Sequence, residues 1–227
     1  MKSIMVNNTL LILLSLICFN CKKKDNNINI SKLSELNAYN ITKIKLNDSI
    51  DRISGENNDY SIEGNMDPLT HSKQGWWKIK SKEGKNWIEI EYIFLDKQFE
   101  NQIRIYNNGM FDSNSSKFYN ASFKDRNYLY YFHFPKSNYS TYNIEFEYII
   151  SDTLQKKKVR EGILKPKKEK DYYFCNILTK ENENVIGIVT KLSKLKQKDS
   201  VLFAIDRMFV KPLKKNNSKE IVNLNNP

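Results

Sequence analysis

The sequence predicts an all-β chain, in which a meander of antiparallel hairpins is followed by a two-layer sandwich. Three observations predict it. First, apolar residues alternate with polar ones at the period of a strand: Ile88, Ile90, Tyr92 and Phe94 against Glu89 and Glu91, then Tyr142, Ile144, Phe146, Tyr148 and Ile150 against Asn143, Glu145 and Glu147. Second, the apolar set is 40% of the chain, with 13 Tyr and 12 Phe, and is rich in Ile, the aromatic and β-branched types that suit a pleated surface. Third, these runs are short, are separated by Lys-, Asn- and Gly-bearing turns, and nowhere give way to a long amphipathic helix.

Taken in order, Cys21 to Asn40 is a polar, Asn-rich tether, in which Ser31 to Leu36 has room for one turn of helix. Ile41 to Leu46 alternates and reads as a first strand. Asn47 to Gln74 is crowded with Asn, Asp, Ser and Gly, the turn formers, and reads as a loop with one short extended piece. GWWKIKSKEGKNWIEIEYIFL then reads as a hairpin turning at Lys82 to Asn86. Gln102 to Tyr106 follows as a third strand, Asn107-Asn108-Gly109 as a tight turn, and Lys117 to Phe123 as the fourth strand of the meander.

Six further strands are expected from Tyr128 onward: YLYYFHF, YNIEFEYII, VREGIL, YYFCNIL, VIGIV and VLFAIDRMFV. Their number and spacing fit an immunoglobulin-like or fibronectin-like β-sandwich, although the Cys-Trp-Cys hallmark is absent. The expected organisation is a signal peptide at 1–20, a flexible tether at 21–40, a β-hairpin/meander region at 41–126, a sandwich-like domain at 127–212 and a disordered tail at 213–227.

The segment 75–109 also resembles MORN-like repeats, including bacterial repeats of the antitoxin-like type, through Gly75, Trp77, Lys78, Gly84, Glu91, Tyr92, Tyr106, Asn108 and Gly109. Lys80 stands where the repeat has Tyr, and a second glycine-tryptophan start does not follow. What the resemblance implies is hairpins with aromatics on one face.

At the front, Lys2 precedes an apolar run from Leu10 to Phe19, broken only by Ser15. Ten residues fall short of the roughly 20 that span a bilayer as a helix, and fit the core of an export signal. Cys18 and Cys21 form C-x-x-C, but neither Cys175 nor His71 or His133 lies at metal-ligand spacing from them. An apolar run that ends at a cysteine and passes straight into CKKKDNNINISK resembles a lipoprotein signal of the Bacteroidetes and flavobacterial group. Asn20 occupies a place where lipoproteins usually carry a small residue. The resemblance implies that Cys21 is the lipidated first residue of the mature chain and that Cys18 is discarded. The expected address is the bacterial cell envelope, anchored to the outer membrane, with the mature chain in the periplasm or at the cell surface.

The formal net charge is +11, and it is uneven: 19 basic and 17 acidic residues precede Ser151, and 18 basic and 9 acidic follow from it. An exported chain without a nucleic-acid motif is not expected to bind nucleic acid; solvated lysines, or attraction to anionic lipid and polysaccharide, account for the charge.

No G-x-S-x-G, H-E-x-x-H, S-x-x-K or phosphate-cradling glycine loop occurs. Glu89 with Glu91 and Glu145 with Glu147 share strand faces, as a solvated sheet face requires. No catalytic residue, metal or cofactor is therefore expected. The candidate contacts with a ligand or partner are Trp76, Trp77 and Trp87. Trp76 and Trp77 are adjacent, so one faces the core and the other does not, and Trp87 shares the face of Glu89 and Glu91. The expected role is non-enzymatic binding or assembly with an envelope protein, and the alternative is carbohydrate binding through the exposed aromatics.

Overall fold

The computed structural model describes residues 29–213; the expected signal peptide at 1–20, Cys21 and residues 214–227 of the expected tail lie outside the described residues. Asn29–Ser34 forms a small piece of its own, one turn of helix (Ile30–Leu33) capped by the Asn29 side chain, which accepts from the Lys32 N–H. Among the described residues no helix is long and apolar enough to cross a membrane.

The protein is all-β and antiparallel. Its first sheet is a seven-stranded meander, in which β1 (Asn40–Asn47), β2 (Ile50–Glu56), β3 (Tyr60–Met66), β4 (Lys73–Ser81), β5 (Trp87–Phe94), β6 (Gln98–Asn107) and β7 (Met110–Phe111) pair strictly with their sequence neighbours. The β4–β5 hairpin turns at the expected place, where Gly84 sits at φ 73°. The β6–β7 hairpin uses Asn108 (φ 51°) and Gly109 (φ 78°), the two positive-φ positions of a type I′ turn.

The region read as a loop is two strands, β2 and β3. Their polar residues are used within the fold: Asp51 is buried and meets Lys43 Nζ at 2.6 Å. The turn formers act at the strand ends, where Asn57 Oδ1 accepts from the N–H groups of Asp59 and Tyr60, and Asp67 Oδ1 from those of Leu69 and Thr70.

One meander face is buried, through Ile53, Ile62, Trp77, Ile79, Ile88 and Ile90. Trp77 lies against Gly64, where a Cβ would fall 2.2 Å from its ring, and its indole N–H donates to the Asn65 carbonyl at 2.9 Å.

The chain leaves the meander between two consecutive residues. Lys117 still exchanges backbone hydrogen bonds with Ile103 of β6. Phe118 opens β8 (Phe118–Lys124), which pairs with β9 (Asn127–His133). The strand expected to close the meander therefore belongs to the sandwich. Alternation alone cannot show which neighbour a strand chooses, because any antiparallel partner satisfies it.

The sandwich has two four-stranded sheets. One runs β12 (Lys167–Glu169), β13 (Tyr172–Leu178), β9, β8; the other runs β11 (Lys157–Leu164), β10 (Ser140–Asp152), β14 (Glu183–Lys196), β15 (Val201–Val210). In immunoglobulin lettering these are D-E-B-A and C′-C-F-G, so the topology is immunoglobulin-like. Tyr128, Tyr130 and Phe132 of β9 meet Phe146, Val189 and Met208 in the core between the sheets. The Tyr128 hydroxyl donates across to Asn184 Oδ1 at 2.7 Å, fastening the start of β14.

Candidate binding face

Trp77 leaves the candidate set. It is 1% exposed, because the odd positions of β4 turn to the buried face and its N–H is already bonded within the meander. Trp76, one residue away, is 40% exposed on the opposite, open face.

The open face is built from alternate residues of consecutive strands. The register sets Glu63 beside Lys78, Lys78 beside Glu89, and Glu89 beside Arg104; in the next row it sets Trp87 beside Tyr106. The Arg104 guanidinium carbon lies 4.7 Å from the Trp76 ring centroid, and Lys78 Nζ lies 5.3 Å from that of Trp87. Lys78 and Glu89 are 3.9 Å apart, and Arg52 and Glu63 are 3.5 Å apart. Between them runs an open groove of about 330 Å³, lined by Arg52, Glu63, Trp76, Lys78 and Glu89 among others.

Trp87 is half-buried and stacks on Tyr106 at 4.4 Å and 14°. Its indole N–H finds no acceptor among the described residues. Burial, followed by the neighbouring Glu89, pushes the Tyr106 hydroxyl above its ordinary value of 10.0.

From Tyr106 the rings continue across the junction. Phe111 lies 5.3 Å from Tyr106, Phe118 lies 5.1 Å from Phe111, and His133 stacks on Phe118 at 4.2 Å. Tyr172 follows at 5.6 Å from His133, then Tyr131 at 5.4 Å and Phe174 at 5.2 Å. Tyr131, His133, Tyr172 and Phe174 are half-buried on the outer face of the D-E-B-A sheet. The result is one aromatic band running from the meander onto the sandwich. Of its members, the sequence reading singled out Trp87 as a contact. Tyr131 and His133 were legible as the outward half of YLYYFHF, and Arg104 as the polar residue between Ile103 and Ile105. The link from Trp87 to His133 and Tyr131 through Phe111 and Phe118 was not, because it depends on the crossover at Lys117.

Glu91 is a correction of a different kind. Read as a solvated carboxylate beside Glu89, it is 4% exposed. Gln102 Nε2 donates to it at 2.9 Å, Asn101 Nδ2 at 2.7 Å, and Lys211 Nζ also donates to it. Asn101 in turn accepts from the Phe209 N–H at 2.6 Å and donates to the Phe209 carbonyl at 2.9 Å, so one amide completes the edge of β15 as a strand would. This buried network ties β5 and β6 to the end of the sandwich, and its polar groups are occupied by one another.

Burial holds His133 below its ordinary value of 6.5, and the ring is flanked by Phe118 and Tyr172. Burial pushes the Cys175 thiol up to about 12, which keeps it protonated and unreactive. Among the described residues no group of three or more His, Cys, Asp or Glu is placed to hold a metal ion. Comparison with known proteins finds no family model, no curated protein and no solved structure that matches the chain.

Proposed function

We propose that the protein is a lipid-anchored component of the bacterial cell envelope with a non-enzymatic binding or assembly role. In this reading Cys21 carries the anchor, and the aromatic band on the open face is the recognition surface. The observation that carries it is the series of rings from Trp87 to Phe174, half-buried except for the enclosed Phe118, with Lys78 over Trp87, and on the same meander face Arg104 over the exposed Trp76. Half-exposed aromatics and arginine are the groups that dominate binding energy at protein interfaces.

The experiment is photo-crosslinking in intact cells from position 76, with position 77 as the enclosed control. A discrete protein adduct from 76 alone supports the reading; equal labelling from both positions, or none, defeats it. Mass spectrometry of the native N-terminus tests the anchor, and a mature chain that begins elsewhere than an acylated Cys21 would defeat that part.

Carbohydrate is the second reading, favoured by exposed Trp76 beside Arg104 and by the half-buried rings bordered by Asn120 on β8. Flat rings with polar groups at their margins suit the apolar face and hydroxyls of a sugar. Titration of envelope glycans against tryptophan emission separates the two, and a flat response across many glycans removes the second.

A further inference from the structure

We infer that β15 pairs edge to edge with β15 of a second copy of this chain, joining the two C′-C-F-G sheets into one. The reasoning starts from the edges. Exposed edge strands invite pairing, and proteins commonly blunt them with lysine, bulges or cover. Of the other edges, β1 carries Lys43 and Lys45 with an irregularity, β11 carries Lys157 and Lys158 with another, β12 is Lys-Lys-Glu, β7 has only two residues, and on β8 the Tyr119 N–H is met by the Gln102 side chain.

Strand β15 is blunted over half of its length. It pairs with β14 in unbroken register, so its alternate residues 201, 203, 205, 207 and 209 turn their backbone N–H and C=O groups outward. The Phe209 groups meet Asn101, the Arg207 carbonyl accepts from Lys117 Nζ at 3.4 Å, and the Lys211 N–H donates to the Tyr119 hydroxyl at 3.1 Å. Beyond Arg207 the cover stops. Val201, Phe203 and Ile205 turn outward backbone groups that have no partner among the described residues, between side chains that are 48%, 58% and 58% exposed. Phe203 is braced by an edge contact with Tyr142 at 6.1 Å, over which Lys194 lies.

What selects a second copy as the occupant is self-complementarity. A two-fold axis through Phe203 sets Phe203 opposite itself and Val201 opposite Ile205, so each of the open pairs exchanges two N–H···O bonds and matches apolar with apolar. Just beyond the ladder, the turn residue Asp199 precedes Val201 by two positions and Arg207 follows Ile205 by two, so opposite charges flank both ends of the pairing. Both residues are exposed. No charge of like sign falls opposite another within this register.

The test is the polypeptide mass of the full chain in a non-ionic detergent, by sedimentation and light scattering, at concentrations up to roughly 100 µM, where interfaces of this modest size associate. The expected result is a concentration-dependent doubling. Phe203→Pro removes an outward N–H and the exposed ring that leans on Tyr142, and proline is tolerated on an edge strand, so the variant stays folded by circular dichroism and becomes monomeric. Asp199→Arg and Arg207→Asp each weaken the dimer about tenfold at low salt, and the double variant restores it. A chain that stays monomeric throughout, as it would if this edge served a different polypeptide, overturns the inference. So does a dimer that Phe203→Pro leaves intact, or one whose single charge reversals are not rescued by the double.

Discussion

Replacing Asn101 by alanine tests the junction between the meander and the sandwich. Asn101 is fully buried, and its one amide makes three hydrogen bonds: two with the backbone of Phe209 and one to Glu91. The alanine variant orphans the N–H and C=O of Phe209 and takes one of three donors from Glu91. A buried group left unpaired costs about 1–3 kcal/mol. Phe209 is half-buried, so water recovers part of that cost, and Glu91 keeps Gln102 and Lys211. The expected loss is about 3 kcal/mol, or roughly a hundredfold in the folding equilibrium.

Two probes separate the halves in urea. Trp76, Trp77 and Trp87 all lie in the meander, so emission follows that sheet, whereas the Cys175 thiol is buried in the sandwich. With Cys18 and Cys21 changed to Ser, thiol labelling follows the sandwich alone. The parent should give coincident transitions. Asn101→Ala should lower both midpoints and pull them apart. Coincident transitions shifted by less than about 0.5 kcal/mol, the range of an ordinary surface change, would refute the latch.

The other expectations concern single contacts. Gly64→Ala forces a methyl to within 2.2 Å of the Trp77 ring, and should cost about 3 kcal/mol and shift tryptophan emission; an unchanged Tm would show that the ring does not rest there. Because burial lowers the pKa of His133, the unfolded chain binds a proton that the folded one refuses in the window just below pH 6.5. Stability therefore falls as pH drops through that window. His133→Phe, which keeps the stack on Phe118, should remove this dependence, and parallel urea curves at pH 7.5 and 5.5 for both proteins would contradict it. Trp87→Ala loses the Tyr106 stack and should cost about 1 kcal/mol beyond its lost area, while Trp76→Ala should leave the urea midpoint nearly unmoved and reduce only ligand capture.

Strand positions were the most legible part of this fold. Tyr172–Leu178 and Val201–Val210 coincide with the runs YYFCNIL and VLFAIDRMFV, since short apolar runs bounded by Lys and Asn leave little choice of ends. Strands β2 and β3 were hidden because their inward positions include Asp51, Gly55 and Gly64, which read as turn residues until Lys43 and Trp77 are seen against Asp51 and Gly64. The placement of Trp76, Trp77 and Trp87 on faces followed from the period of two. The burial of Glu91 did not, because that period assigns a face and leaves open what covers it. The aromatic band was legible only in fragments, since Phe111 and Phe118 join them through the end of one sheet and the beginning of the next.

The separation of 108 residues between Asn101 and Phe209 has a consequence for the order of assembly. Every pairing in the meander is between sequence neighbours, which costs little chain entropy and forms fast. The sandwich must wait for β13 to find β9 and β14 to find β10. A chain that emerges from its N-terminus thus folds the meander first, and β6 stands ready with Asn101 bonded to Glu91 alone until the last strand arrives. Tryptophan emission should reach its native value in refolding before the Cys175 thiol is protected, and the reverse order would contradict this account. The Asn101 amide is then a signal of completion: it closes when nearly the whole chain is in place.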